Sequence, residues 1–259
     1  MPNESTPLTQ AHLTTSETIE TLLQRRSIRK YNNEPVTDEQ VDAILRAAFR
    51  APTSSNIQSY SVITVRDPET KQKLSVPTGN QKHIIDCPVF LAFCADLTRL
   101  EHVLQEHGHT LEDNNMEIGL VSSIDASLVG MSAYLAAESL GIKGVMIGAV
   151  RNDAVKIAEI LGLPKFVYCV FGMCLGYPDE LPAQKPRMQQ DLVVHRERFD
   201  PTQSAAAVEA YDPALKEHYE AIGKETTPDS WSHDMDKKFS PQLRDGLREQ
   251  LKKQGFDFR

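Results

Sequence analysis

The segment from Glu117 to Leu140 constrains the fold most, because it is the longest apolar run in the chain. Its small residues recur at every angle of a helix, so a helix formed here has no polar face. Such a helix must be buried on every side, and Gly141 is placed to end it. We therefore expect a central helix that lies inside the protein or is shared with a partner subunit. The small residues are Gly119, Ser122, Ser123, Ala126, Ser127, Gly130, Ser132, Ala133, Ala136 and Ala137.

This apolar segment is not predicted to cross a membrane. Its uncharged part, 126–137, spans twelve residues between Asp125 and Glu138, whereas a membrane-spanning helix needs roughly 20. Residues 1–15 are polar and lack the apolar core of a signal peptide, so we expect a disordered leader. The net charge of −8 and the pI near 5.5 argue against binding to nucleic acid or to anionic membranes. The composition predicts a cytoplasmic globular protein.

The cysteines and histidines show no metal-binding pattern. No two cysteines form a Cys-x-x-Cys pair, and each lies in an apolar run where a reduced thiol behaves as a small hydrophobe. Three histidines fall within 102–109 without carboxylate or cysteine ligands in register, so we expect surface residues and no metal site. The cysteines are Cys87, Cys94, Cys169 and Cys174, and the histidines are His102, His107 and His109.

A basic cluster follows the first predicted helix, Ser16 to Gln24. Apolar residues recur in that helix at i, i+3 and i+4 (Ile19, Leu22 and Leu23), which predicts one packed face. The cluster at its exit could be an ordinary solvated helix end, favoured by the helix dipole. In an acidic protein it also fits a site for one small anion, because guanidinium groups bind phosphate through charge-assisted hydrogen bonds. The cluster is Arg25, Arg26, Ser27, Ile28, Arg29, Lys30 and Tyr31.

Three further polar segments could belong to the same site. The loop 51–58 is dense in short hydrogen-bond donors and could contact a polar ring edge, although a plain turn explains it equally well. A second polar loop, 79–83, precedes an apolar strand. In Lys185-Pro186-Arg187 the proline forbids a helix, so both cations could face one anion or one ring edge.

The rest of the chain alternates strands with helices. Strands are predicted at Tyr60 to Val65, Val89 to Ala95 and Phe166 to Leu175, and Gly144 to Arg151 is predicted as a strand that runs into a turn. Helices are predicted at Glu39 to Arg50, Arg99 to Asn115, Asp153 to Leu161 and near Leu243 to Lys253. From about Phe199 the composition turns polar, and this tail is expected to wrap over the core or a partner subunit. No dinucleotide-binding glycine fingerprint, phosphate-binding loop or nucleophile elbow occurs, so we name no acid–base catalyst.

Taken in order, these segments resemble the nitroreductase family of FMN-dependent oxidoreductases, especially the oxygen-insensitive nitroreductases and their flavin-reductase relatives. The likeness extends over about residues 17–259. Each motif is weak alone, but their shared order makes the resemblance specific. The matching segments are 25–29, 53–58, 79–83, 136–141, 147–152 and 185–187, with Trp231-Ser232 and 253–256 in the tail.

The resemblance implies an α+β fold with a mostly antiparallel central sheet flanked by helices. It also implies an intertwined homodimer that buries FMN at the subunit interface, a core domain of residues 16–200 and a C-terminal extension of residues 201–259. The implied cofactor-binding residues are Arg25, Arg26, Ser27, Arg29, Thr53, Ser54, Ser55, Gln81, Met146, Ile147, Gly148, Ala149, Lys185 and Arg187. Those implied to face NAD(P)H or the acceptor are Asn56, Arg151 and Arg244.

The resemblance further implies two-electron, ping-pong chemistry. NADPH or NADH would give a hydride to flavin N5, and a nitroaromatic, a quinone or free flavin would then take two electrons. Relatives often carry basic residues just before the tail tryptophan, but here residues 222–230 hold one lysine and two acids, so NADH use is expected too. Ala149 and Asn56 also depart from the family pattern and would reshape the acceptor pocket. The alternatives are a flavin carrier or redox sensor without efficient turnover, and a flavin-free homologue.

Overall fold

The computed structural model describes residues 14–111, 115–241 and 243–258. The predicted leader, 1–15, lies almost wholly outside this range. The helices are α1 (Glu17–Gln24), α2 (Asp38–Ala48), α3 (Pro68–Ser75), α4 (Lys82–Asp86), α5 (Thr98–Glu106), α6 (Asn115–Ser139), α7 (Ala154–Leu161), α8 (Gln190–Val193), α9 (Thr202–Ala221), α10 (Ser230–Phe239) and α11 (Leu247–Lys253). The strands are β1 (Tyr60–Val65), β2 (Val89–Asp96), β3 (Lys143–Ile147) and β4 (Val167–Gly176).

The strands form one antiparallel sheet in the order β1-β2-β4-β3. Every residue of β2 is buried, because helices cover both faces of the sheet. Val89, Leu91 and Phe93 pack towards α2 and α6, while Phe90 and Ala92 pack towards α3, α4 and α7. This alternation follows from the two-residue repeat of a strand. The α+β fold with a mostly antiparallel sheet is confirmed.

The segment Gly144 to Arg151, predicted as a strand running into a turn, is a strand up to Ile147 and a short 3₁₀ helix at residues 148–152. The helix predicted from Arg99 to Asn115 stops at Glu106, where Gly108 adopts a φ of +75° that leaves the right-handed helical region.

Helix α2 begins at a capping box. The Thr37 hydroxyl accepts a hydrogen bond from the Gln40 backbone, and the Gln40 side chain accepts one from the Thr37 backbone. Val41, Ile44 and Ala48 of this helix are buried. Leu45 is half-buried, and Phe49, just past the last turn, is 48% exposed.

Helix α6 is the central helix, but within one chain it is not buried on every side. One side packs against α2 and β2, whereas an apolar stripe along the other side is exposed. By length and composition alone α6 could cross a membrane, yet it carries the buried acids Asp125 and Glu138. The exposed stripe consists of Met116, Leu120, Ile124, Leu128 and Met131.

Helix α1 likewise leaves its apolar face uncovered. Its predicted packing residues, Ile19, Leu22 and Leu23, are 40%, 41% and 68% exposed. The prediction that this face packs is therefore wrong for one chain. The helix still delivers the basic cluster, since Arg25 directly follows its last residue.

The C-terminal segment returns to the end of the sheet. Leu251 and Phe256 join a buried cluster with Tyr168 of β4, and the Phe256 ring meets Tyr168 edge-on at 4.7 Å. The Phe166 backbone N–H donates to Gln254 O at 2.7 Å, which fixes this segment beside β4.

Gly144 lies where β3 passes closest to β4, and we expect Gly144→Ala to destabilise the fold. A Cβ at this position would lie 2.1 Å from the Cys174 carbonyl oxygen, which belongs to the backbone of the sheet and cannot rotate away. The expected loss is about 1–3 kcal/mol in the free energy of unfolding, measured by urea denaturation. Gly246→Ala is the matched control, because its nearest neighbour would be a flexible glutamine end at 3.6 Å. Equal stability of the two variants would contradict this account of the sheet.

Candidate functional site

A cationic cleft of about 260 Å³ lies between the segment after α1 and the extended segment 182–187. It brings together six of the predicted cofactor-binding residues from two distant parts of the chain. None of the described residues that line it is acidic, so five cationic side chains share one concave surface. The lining residues are Arg25, Arg26, Ser27, Arg29, Pro182, Ala183, Gln184, Lys185, Arg187, His218 and Ile222.

Burial of Ile28 and hydrogen bonds to other elements hold the backbone of the basic cluster in place. Ile28 is fully buried, and its N–H donates to Gly144 O at 2.9 Å. The Tyr134 hydroxyl donates to Arg26 O at 2.9 Å, and the Arg26 guanidinium reaches across to Pro182 O at 3.1 Å. Cations held at fixed positions around a cleft form a ready site for a phosphate dianion. The donor set therefore fits the phosphate of FMN.

Helix α9 and the residue after it supply two cleft residues that the sequence did not point to. His218 lies in the last turn of α9, and Ile222 directly follows the last residue of the helix. The sequence of this helix did not predict a place in the cleft, because the polar tail carries no anion-binding motif.

Lys185 is held against the same helix. Its Nζ lies 3.4 Å from the Tyr219 hydroxyl and 5.2 Å from the centre of the Tyr219 ring. Lys224 covers this ring at 3.5 Å. Tyr219 is buried, so its ring provides a rigid, electron-rich support for both cations.

The loop 53–58 is strained and anchored, which distinguishes it from a plain turn. Ser55, Asn56 and Gln58 have φ values of 49°, 57° and 51°. Backbone in this left-handed region costs of order 1–3 kcal/mol for a residue other than glycine, and such strain concentrates at functional sites. The buried Asp125 carboxylate accepts hydrogen bonds from the Ser54 and Ser59 backbones at 3.0 and 3.3 Å. Thr53, Ser54, Ser55 and Asn56 do not line the cationic cleft.

The segment 79–83 starts helix α4. Gln81 precedes its first turn and donates from its side-chain amide to Thr78 O at 2.9 Å. The structure also points to His83, which sequence reasoning had not singled out. Its buried Nε2 has no hydrogen-bond partner among the described residues, and burial followed by the nearby Arg29 charge lowers the pKa of His83. The ring is therefore neutral at physiological pH.

Two arginines meet at the end of β3. Arg244 donates to Asn152 Oδ1 at 2.9 Å and to Gly148 O at 3.3 Å. The Arg151 guanidinium lies beside Gly148, on the side where a side chain would project from this glycine. Burial, followed by the Arg151 charge, lowers the pKa of Arg244. The predicted residues Met146, Ile147, Gly148 and Ala149 lead directly into this pair, but they too lie outside the cationic cleft. Within one chain, the predicted site thus forms separate groups.

The described residues contain no group of three or more histidine, cysteine or acidic side chains arranged to hold a metal ion. All four cysteines are buried and free.

An antiparallel sheet flanked by helices and a cationic cleft whose donors suit a phosphate group describe the fold and the site of this protein. Comparison with known proteins identifies the class of protein. The nitroreductase family profile matches residues 22–177, and the profile of the nitroreductase family C-terminal domain matches residues 185–259. The chain belongs to the nitroreductase family.

Relatives align over nearly the whole chain. It is 40% identical over 246 residues to "FMN reductase [NAD(P)H]" of Bacillus subtilis, covering 93% of this chain and 98% of that protein. It is 38% identical over 241 residues to "Oxygen-insensitive NADPH nitroreductase" of Salmonella typhimurium, with the same coverage of 93% and 98%. A solved structure of NADPH:FMN oxidoreductase from Vibrio harveyi, complexed with NAD+, superposes with a TM-score of 0.85 at 33% identity, covering 94% of this chain and 100% of that one.

Proposed function

We propose that this protein is an FMN-dependent NAD(P)H oxidoreductase that reduces nitroaromatics, quinones or free flavin by a ping-pong mechanism. The observation that carries the proposal is the acid-free cationic cleft, whose donors fit the phosphate of FMN. FMN, when bound, supplies the hydride acceptor and the two-electron donor. The names of the relatives, an FMN reductase and an NADPH nitroreductase, support the same activity.

In this proposal the residues of the chain bind the flavin and orient the reactants. Arg25, Arg26 and Arg29 neutralise the phosphate, and Lys185 and Arg187 close the cleft from the opposite side. Such positioning brings reactants into contact without any protein nucleophile. Arg151 and Arg244 meet around Gly148, where they would face the nicotinamide or the acceptor.

Asn56 would shape the acceptor pocket, and Thr53, Ser54 and Ser55 would contact the ring and the ribityl chain. Ser55 and Asn56 are exposed residues of the strained loop, so their side chains are free to contact a small molecule. Gln81 would contact the ring edge, and the backbone of 146–149 would line the ring.

We further propose that the protein acts as an intertwined homodimer in the cytoplasm. The exposed stripe of α6 and the exposed face of α1 are apolar surfaces that a second subunit would cover. A partner would also complete the separate groups of site residues. The four reduced cysteines suit a reducing compartment.

Steady-state kinetics test the proposed mechanism. With NADH and a quinone varied together, ping-pong turnover gives parallel lines in a double-reciprocal plot, because the donor leaves before the acceptor binds. Intersecting lines would contradict it. A protein that holds FMN but shows no turnover with any acceptor class would favour the carrier or sensor alternative.

We expect NADH to serve as a donor nearly as well as NADPH. Residues 222–230 contain Lys224 as their single cation, and that lysine is held over the Tyr219 ring. Without a dedicated contact, the 2′-phosphate of NADPH gains little, so the two kcat/KM values should agree within about tenfold. Glu225→Arg should raise the NADPH preference, since Glu225 is an exposed acid of this segment and does not line the cationic cleft. Glu225→Ala is the control. A strong NADPH preference in the unmodified protein would contradict this expectation.

A further inference from the structure

We propose that two buried polar side chains of α6, Tyr134 and Asp125, position the two halves of the flavin site. Tyr134 would fix the basic segment 25–29 at the phosphate end, and Asp125 would fix the loop 53–59 at the ring end. The inference rests on the proposed FMN site. It assigns a role to α6 beyond forming the core.

Tyr134 ties the basic segment to the rest of the fold. Its ring is 2% exposed, and its hydroxyl lies 2.9 Å from Arg26 O and 3.2 Å from Gly144 O. Gly144 O also accepts from the Ile28 N–H, so this one junction joins α6, β3 and the basic segment. Burial raises the pKa of Tyr134 to about 12, which keeps the hydroxyl protonated and donating. The Arg25 guanidinium lies 5.7 Å from the centre of the same ring.

Asp125 anchors the loop 53–59 as Tyr134 anchors the basic segment. The residue is 1% exposed. Its Oδ1 accepts from the Ser54 N–H at 3.0 Å, and its Oδ2 accepts from the Ser59 N–H at 3.3 Å and the Ser59 hydroxyl at 3.0 Å. These contacts hold both ends of the segment 54–59, which contains three residues with backbone dihedral angles in the left-handed region. A strained, exposed loop keeps one conformation only when such contacts determine it.

The spacing of the two side chains follows from helix geometry. They are nine residues apart on α6, which separates them by about 13 Å along the axis at about 1.5 Å per residue. Nine residues also correspond to about two and a half turns, so the two side chains leave α6 on opposite sides and each anchors its own segment.

Binding of FMN and riboflavin, which lacks the phosphate, separates the two roles. Dissociation constants are measured by flavin fluorescence quenching for the unmodified protein, Tyr134→Phe and Asp125→Asn. Tyr134→Phe should weaken FMN binding by up to about tenfold and leave riboflavin binding nearly unchanged, because only the phosphate end shifts. Asp125→Asn should weaken both ligands by a similar factor of about 10–100, because the ring end is common to both.

Matched controls exclude a general loss of stability. Tyr168→Phe removes another buried hydroxyl paired with α6, which lies 2.5 Å from the Ser123 hydroxyl, and should change neither dissociation constant. Asp67→Asn removes a carboxylate that caps α3 through the Thr70 backbone and hydroxyl, and should also leave both unchanged. If Asp125→Asn does not fold, Ser59→Ala removes one of its contacts and should weaken both flavins equally by a few-fold.

Three outcomes would overturn the inference. Folded Tyr134→Phe and Asp125→Asn proteins that bind both flavins normally would refute positioning by α6. An equal loss of FMN and riboflavin in Tyr134→Phe would refute its assignment to the phosphate end. An unmodified protein that binds neither flavin would overturn the proposed function, and this inference with it.

Discussion

Replacing Arg29 with alanine is expected to lower FMN affinity by about 10- to 100-fold, because a charge-assisted hydrogen bond contributes roughly 1.5–3 kcal/mol. Arg29 lines the cleft with four other cations and no acid, so its charge is directed at the ligand and not at a protein carboxylate. The dissociation constant is measured by fluorescence quenching of added FMN.

Lys30→Ala is the matched control for Arg29. Lys30 is the next residue and carries the same charge, but it pairs with Glu180 at 2.9 Å and does not line the cleft. The Lys30→Ala protein should therefore bind FMN normally. Unchanged flavin retention in Arg29→Ala would contradict the phosphate assignment, and equal losses in both variants would show that net charge alone matters.

Replacing Ile124 with glutamate is expected to produce monomers that do not retain FMN. Ile124 is 55% exposed at the middle of the apolar stripe on α6, so a charge there would be buried without a partner in the proposed dimer. An unpaired buried charge costs several kcal/mol, enough to dissociate the subunits. Mass and flavin content are measured together by size-exclusion chromatography with light scattering and visible absorbance.

Val76→Glu is the control for the interface. Val76 is 58% exposed at the end of α3, outside the stripe, and its replacement should leave a flavin-loaded dimer. Dilution of the unmodified protein should likewise release no monomer with bound flavin. A flavin-loaded monomer in either experiment would contradict a site completed by two subunits.

The sequence predicted the sheet well because its strands are continuous runs of β-branched and apolar residues. β1 matches its predicted bounds, from Tyr60 to Val65, and β2 extends one residue beyond its prediction. The segment 144–151 was predicted as a strand running into a turn, but its apolar run to Val150 did not fix where the strand ends, which is at Ile147. Apolar periodicity reports burial and does not fix the backbone dihedral angles.

Burial of the helices was predicted less well. The apolar face of α1 predicted packing of that face, and the uniformly apolar α6 predicted burial inside the protein or against a partner subunit, yet the face of α1 and the stripe through Leu120 and Ile124 are exposed in one chain. A sequence records that a surface is apolar but not whether the same chain or a second subunit covers it. The notion of a helix shared between subunits therefore stays a prediction.

The cationic cleft was predictable only in part. Arg25, Arg26, Arg29, Lys185 and Arg187 were recognised through family motifs, and the fold brings them to one cleft. His218 was missed because it lies in a polar helix without a motif. The anchoring role inferred for Tyr134 was equally hidden, since a tyrosine in an apolar helix is ordinary core until its hydroxyl partner is known.

The visible spectrum of the purified protein, followed by anaerobic addition of NADH and NADPH in turn, tests the central claim most directly. The proposed function predicts a yellow protein whose flavin absorbance bleaches with either donor and returns when a quinone is added. A yellow protein that neither donor bleaches would be a flavin carrier or sensor. A colourless protein that takes up no FMN would contradict the assignment of the cationic cleft.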